Sequence, residues 1–231
     1  MIKFQNPKAI LFDLDGVLLD TELLNGEAWR LTAKLFGLEL NKEQLKTFLG
    51  RRRIDCANDV LNYLHKDIKL SKLLETHFPI QKRLLDKTKA IYNAEKIVNL
   101  CFKESIPTAL VTSSRSESVD YKIKNHKWIK QIPIRVQGDD LHLKKGKPYP
   151  DPYLLASEKL NVNSYNTWAI EDSESGVNSA LKAGCSVWIF KKDENDTNIE
   201  KLNKSNIKEK IIFINKIEII LNELEKLYQN K

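Results

Sequence analysis

Apolar positions along this 231-residue chain follow two periods. Ala9 to Asp15 is one continuous apolar run that ends in acids. Such a run reads as a central strand of a parallel sheet, buried on both faces. Further short runs stand at Thr108 to Ser113, Ile134 to Gln137, Thr167 to Glu171, Ser186 to Phe190 and Ile211 to Ile214. Helix-spaced patterns separate most of them. Strands alternating with helices predict an α/β fold, a parallel sheet with helices on both faces.

The stretch from Thr21 to about Glu95 differs. Leu24, Ala28, Leu31 and Leu35 recur at helical spacing, and Gly37 closes that helix. Asn41 and Gln44 have the spacing of a capping box for the next one. Leu61, Leu64, Leu73 and Leu84 continue the helical pattern, and no strand is predicted within the block. The expected organisation is an α/β core over residues 1–19 and 96–231, with a helical domain of residues 20–95 inserted after the first strand. Later in the chain, Asp151 and Pro152 read as N-cap and first residue of a helix, and Gly184 as a C-cap. A last helix is expected around residues 217–227.

Composition narrows the class. The chain is 42% hydrophobic and 30% charged, as a globular protein is. Its three cysteines are widely spaced, no CxxC occurs and only four histidines are present. That argues against a disulfide framework or a zinc site, and for a reducing cytoplasm. No apolar run approaches the roughly 18–20 residues of a membrane span. No secretory segment is expected ahead of Asp13, which stands within the first dozen or so residues of this sequence. The net charge of +7 suits nucleic acid or a phosphorylated small molecule. The lysines are scattered, so the expected partner is the small molecule, taken up by a monomer, with no nucleic acid and no membrane.

Burying an unpaired carboxylate costs several kcal/mol, so Asp13 and Asp15 need a reason to stand where they do. In open α/β sheets ligands bind beyond the carboxyl ends of the strands. The first strand delivers Asp13, Asp15 and Gly16 there, the second Thr112, Ser113 and Ser114. The third is followed by Lys144-Lys145-Gly146-Lys147-Pro148, and the fourth delivers Glu171 and Asp172. Carboxylates without clustered histidine or cysteine suit a hard cation such as Mg²⁺. Lys147 adds positive charge. Ser114 and Glu117 have capping-box spacing, which would open a helix whose N–H groups cradle an anion. Acids, a metal, a lysine and an anion cradle together suit a phosphoryl group. Without the cations, Asp13 would repel it by about 4 kcal/mol at about 4 Å and an effective dielectric near 20.

These residues carry a resemblance. Ile10-Leu-Phe-Asp-Leu-Asp-Gly-Val-Leu-Leu-Asp-Thr-Glu22, Leu110-Val-Thr-Ser-Ser114, Lys147-Pro-Tyr-Pro-Asp151 and Ile170-Glu-Asp-Ser-Glu-Ser-Gly176 resemble, in order and spacing, the four motifs of the haloacid dehalogenase superfamily. The chain is most similar to its β-phosphoglucomutase-like phosphatase branch. The resemblance implies a Rossmann-like parallel core with an inserted α-helical cap. It implies a Mg²⁺-dependent phosphatase of small phosphorylated metabolites such as sugar phosphates, acting through an aspartyl-phosphate. Asp13 resembles the nucleophile and Asp15 the general acid and base. Thr112, Ser113 and Lys147 resemble phosphate binders. Asp13, the Asp15 backbone carbonyl and Asp172 resemble the Mg²⁺ ligands, with Glu171 bound directly or through water. Arg51, Arg52 and Arg53 follow Gly50 in the cap, either as an exposed basic turn or, through Arg53, as a clamp on the far end of the substrate. Trp29 reads as cap core.

Three other readings stand beside this one. A β-phosphoglucomutase-type phosphomutase would carry a histidine where Asn25 stands, and asparagine cannot take a proton at neutral pH. A catalytically silent binding protein has no reason to keep every motif residue. A true dehalogenase needs no acid at Asp15, because a halide leaves without a proton.

Overall fold

The structure, a computed structural model, describes residues 4–86, 88–190 and 210–228. Six strands form a wholly parallel sheet: β1 (Ala9–Phe12), β4 (Thr108–Val111), β5 (Ile134–Val136), β6 (Thr167–Glu171), β7 (Ser186–Phe190) and β8 (Ile211–Ile214). Their spatial order is β5-β4-β1-β6-β7-β8. β1 lies at the centre, with Phe12 opposite both Leu110 of β4 and Ile170 of β6. Every residue of β1, β4 and β6 is buried, the burial that a continuous apolar run requires.

Alternate side chains of each strand enter opposite layers. Ile10, Phe12, Leu110, Trp168 and Trp188 pack with α5 (Ala94–Lys103) and α9 (Glu218–Tyr228). Leu11, Ala109, Val111, Ala169 and Val187 pack on the other face with α7 (Asp151–Lys159) and α8 (Glu174–Ala183). The expected α/β class, a parallel core with helices on both faces, is the observed one. The strand order reverses about β1 and β6, which places the ligand crevice at their carboxyl ends.

Between β2 (Leu19–Asp20) and β3 (Lys89–Ala90) the chain makes four helices: α1 (Glu22–Leu35), α2 (Lys42–Lys46), α3 (Arg53–Leu64) and α4 (Leu70–Leu85). β2 and β3 pair antiparallel, Leu19 with Ala90 and Asp20 with Lys89, so the chain leaves and re-enters the core side by side. The helices have a hydrophobic core of their own around Trp29, Phe48, Val60 and Leu73. β3 corrects the expectation of no strand in this stretch; two residues are too few to show a period. Of the expected row only Ala28 is buried; the rest of the buried face of α1 is Trp29, Thr32 and Ala33, and Leu35 is 68% exposed. Trp29 stacks on His77 of α4, and that packing sets the rotation of α1.

Local capping agrees in part. Asn41 and Gln44 form the expected reciprocal box, and Gly184 is the left-handed C-cap of α8. α7 starts one residue early, with Pro150 at the N-cap and Asp151 already helical. The box expected of Ser114 and Glu117 does not form. α6 (Ser116–Ile123) begins after Arg115, and Asp139 accepts from both the Ser116 amide and its hydroxyl at 2.8 Å. Among the described residues no helix is long and apolar enough to cross a membrane.

Candidate active site

Asp13 is the first residue beyond β1, held in register by its amide, which donates to the Ile170 carbonyl at 3.1 Å. Lys147 approaches from the loop after β5. Its ammonium, 2% exposed as a residue, lies 2.5 Å from Asp13 Oδ1, 2.5 Å from Glu171 Oε1 and 2.9 Å from the Val111 carbonyl. The chain then turns sharply at Gly16, whose φ is +89°. A Cβ there would sit 1.7 Å from Asp172 Oδ2, so glycine is required both by conformation and by the close approach of Asp172.

Asp13, Glu171 and Asp172 each offer a carboxylate oxygen within 4.8 Å of the others. Gly176 leaves room for Glu171 in the same way, since a Cβ there would lie 2.0 Å from its carboxyl carbon. One lysine therefore faces two buried acids, Asp13 and Glu171, with the half-buried Asp172 beside them. Burial lifts the Asp13 carboxyl above its ordinary range against the pull of Lys147, and Glu171 and Asp15 add to the lift. Burial raises Asp172 well above the carboxylate range, with Glu22, Asp13 and Glu171 adding to it. An all-oxygen acid cluster short of positive charge is what a hard divalent cation neutralises, so these residues fit such an ion.

Asp15 turns the other way, and its side chain is not part of that cluster. Oδ1 accepts from Thr21 Oγ1 at 2.5 Å and from Lys122 at 2.5 Å; Oδ2 accepts from Ser114 Oγ and Lys122, both at 2.8 Å. Burial alone would raise its pKa, but Lys122 and the two hydroxyls outweigh burial and hold it below the usual range. Asn25 is fixed by Gln81, which donates to Asn25 Oδ1 at 2.9 Å, and its amide nitrogen faces Asp15 at 3.4 Å.

A cavity opens above these groups, lined by Asp13, Asp15, Thr112, Ser113 and Asp172 from the core and by Asn25, Trp29, Phe48 and Arg53 from the helical block. Trp29 is thus both helical core and cavity wall. Thr112 Oγ1 accepts from the Ser114 amide at 3.1 Å, which leaves its O–H able to donate. The Ser113 hydroxyl is committed elsewhere, to the Gly50 carbonyl at 2.7 Å. Of the three arginines, Arg51 pairs with Asp59 and Arg52 with Asp55. Arg53 lies over the Phe78 ring at 4.9 Å, with its Nη1 buried and without a hydrogen-bond partner. The structure thus brings Asp13, Asp15, Thr112, Ser113, Arg53 and Asp172 to the wall of one cavity, with Lys147 and Glu171 buried behind Asp13 rather than in the cavity lining. Two residues escaped sequence reasoning. Lys122 grips Asp15, and Tyr153, fully buried on α7, donates to Glu171 Oε1 at 2.5 Å. Neither belongs to a local motif, so only the fold places them.

Residues 10–190 match the model of the haloacid dehalogenase-like hydrolase family. The chain belongs to that family. It is 29% identical over 185 residues to a phosphorylated carbohydrates phosphatase of Thermotoga maritima, a match covering 77% of this chain and 82% of that one. It is 26% identical over 178 residues to a bifunctional riboflavin kinase/FMN phosphatase of Arabidopsis thaliana, spanning 77% of this chain but only 47% of the plant protein. Among solved structures it resembles a HAD hydrolase, family IA, variant 3, of Entamoeba histolytica, with TM-score 0.74 and 28% identity over 96% of this chain and 99% of that one. The family and the phosphatase class expected from the four motifs are borne out, and the chain is a hydrolase of phosphate esters.

Proposed function

We propose that this phosphatase hydrolyses small phosphorylated metabolites, of the sugar-phosphate kind, through an aspartyl-phosphate on Asp13, with Mg²⁺ held by Asp13, the Asp15 carbonyl, Asp172 and, directly or through water, Glu171. The observation that carries the reading is the pair of aspartates two residues apart in opposite environments. Asp13 faces the lysine and the acid cluster, while Asp15 is gripped from the other side. The ion, when bound, would neutralise the oxygens of the phosphoryl group and of Asp13 as they meet.

The chain's own residues supply the rest. Thr112 donates its hydroxyl to the phosphoryl oxygens, and Lys147 opposes their charge while keeping Asp13 oriented. In the first half Asp13 forms a bond to phosphorus, the ester P–O bond breaks, and the departing alkoxide takes a proton from Asp15, which must first take that proton up because Lys122 and the two hydroxyls favour its ionised form. In the second half water attacks phosphorus, its proton passes to Asp15, and the bond to Asp13 breaks. Each half is easier than one direct displacement. Arg53, a desolvated cation without a carboxylate, faces the end of the substrate away from phosphorus.

Helices α1–α4 act in this reading as a cap over the core, roughly the inserted domain of residues 20–95. Three contacts support a closed arrangement. Ser113 donates to Gly50, Gly50 packs against Ser173, and Gly146 packs against Arg52. Water rather than a second sugar hydroxyl is the acceptor, because Asn25 offers no base and its amide oxygen is already engaged by Gln81. Three free, buried cysteines agree with a cytoplasmic setting, and the reading keeps the protein a monomer. A panel of phosphorylated metabolites, assayed for phosphate release with Mg²⁺, tests the reading. Release from sugar phosphates supports it, and no release from any phosphate ester contradicts it.

A further inference from the structure

Lys122 is a buried cation that none of the four motifs supplies. Its side chain is 0% exposed on α6, and its ammonium reaches Asp15 Oδ1 at 2.5 Å, Asp15 Oδ2 at 2.8 Å and Ser114 Oγ at 2.8 Å. Ser114 in turn donates to Asp15 Oδ2, and Thr21 to Oδ1. Three elements therefore converge on one carboxylate: Thr21 beside β2, the turn after β4, and α6. A buried ion pair is a weak source of stability, since apolar residues of similar volume serve as well. Its value lies in fixing geometry. The outer side of α6 is tied as well, because Tyr121 Oη donates to Asp86 at 2.8 Å and Lys124 donates to it at 3.0 Å. The helix that grips Asp15 is thus fastened to the segment that follows α4.

We propose that Lys122 is a positioning residue of the phosphoryl-transfer reaction, which with Thr21 and Ser114 fixes the Asp15 carboxylate in the orientation from which it exchanges protons above Asp13. The proposal rests on the roles given to Asp13 and Asp15 above. It predicts an effect confined to steps that use Asp15.

p-Nitrophenyl phosphate separates those steps. Asp13 bonds to phosphorus as the P–O bond breaks, and the electron pair leaves on nitrophenolate, which needs no proton. Hydrolysis of the aspartyl-phosphate still sends a water proton to Asp15. Misplacing a catalytic group by about an ångström costs on the order of a hundredfold. Lys122→Met should therefore lower kcat by more than about tenfold, with KM falling alongside it. kcat/KM should stay within about threefold, because it reports phosphorylation of Asp13. A burst of nitrophenolate should precede the slow steady state. In an Asp15→Asn background, Lys122→Met should add no further loss. A smaller fall in kcat, a parallel fall in kcat/KM, or a further loss in that background overturns the proposal. Lys122→Gln, read by the same criteria, decides the matter if the methionine variant does not fold. Full activity of Asp13→Asn would instead contradict the reading of the site itself, so the two failures are distinguishable.

Discussion

The Ser113 hydroxyl donates to the Gly50 carbonyl across 2.7 Å, joining the carboxyl edge of β4 to the loop that opens α3. The two residues stand 63 positions apart, one in the core and one in the helical block. A hydrogen bond of this kind is worth about 1 kcal/mol net, or about fivefold in an equilibrium. Ser113→Ala should raise KM by about that factor and leave kcat within about twofold, because it loosens closure without touching the reacting groups. Steady-state kinetics check this, and an unchanged KM would count against closure through this contact.

Arg53 is a cation over an aromatic ring with a buried, unpartnered Nη1. Burial, with Arg115 nearby, lowers its pKa, so its charge is held at a cost. A hydrogen bond to a charged group contributes about 1.5–3 kcal/mol. Arg53→Ala should raise KM by at least about tenfold for substrates with a polar far end, and leave thermal stability equal or higher. Lysine should restore little, lacking the planar fork. A variant that melts lower with unchanged KM would assign Arg53 to structure.

The acid cluster predicts a metal effect on stability as well as on rate. EDTA should abolish turnover and Mg²⁺ restore it. Mg²⁺ should also raise the melting temperature, because it binds the folded cluster and relieves Asp13 and Asp172. Ca²⁺, with its larger and looser coordination, should bind without supporting turnover. A melting curve indifferent to Mg²⁺ would show that the cluster is not its site.

His77 predicts an acid-sensitive fold. Thr32 donates its hydroxyl to the Ala28 carbonyl, so it accepts from His77 Nδ1–H at 3.0 Å, which leaves Nε2 bare and buried. The ring stacks on Trp29 at 3.7 Å. Burial, with Arg53 adding to it, pushes the His77 pKa down to about 3 from 6.5. The unfolded chain takes up this proton below about pH 6.5 and the folded one does not until about pH 3. The contribution to stability is therefore complete above that window and lost at about 1.4 kcal/mol per pH unit as the pH falls through it. Between about pH 7 and about pH 5, wild type should lose about 2 kcal/mol more than His77→Gln in urea unfolding. Equal losses would place the acid sensitivity elsewhere.

What the sequence disclosed depends on how local each feature is. Asp13, Asp15, Lys147 and Asp172 lie in short motifs at strand ends, and the parallel sheet brings such ends to one edge whatever the helices do. Continuous apolar runs gave the central strands because both faces are buried. Lys122 could not be read, because its meaning comes from Asp15, 107 residues away. Asp139 replaced the expected Ser114 cap for the same reason, since a residue 23 positions away supplies the acceptor. The α1 face was misread because the Trp29–His77 stack, a tertiary contact, outweighs a row of leucines. Arg53 was named from the sequence as the candidate clamp, though nothing local set it apart from Arg51 and Arg52. Its singular role emerges once Asp59 and Asp55 have taken the other two.

The central claim is a covalent phosphoryl group on Asp13. The direct measurement is rapid acid quench during turnover of p-nitrophenyl phosphate, followed by digestion and mass spectrometry of the peptide that carries Asp13. The account predicts a phosphorylated Asp13 in the wild type, accumulating further in Asp15→Asn. It predicts none in Asp13→Asn, which should stay folded and lose more than about a thousandfold in rate, as removal of a nucleophile does. An unmodified Asp13 peptide in both active enzyme and Asp15→Asn, or substantial turnover by Asp13→Asn, would contradict it.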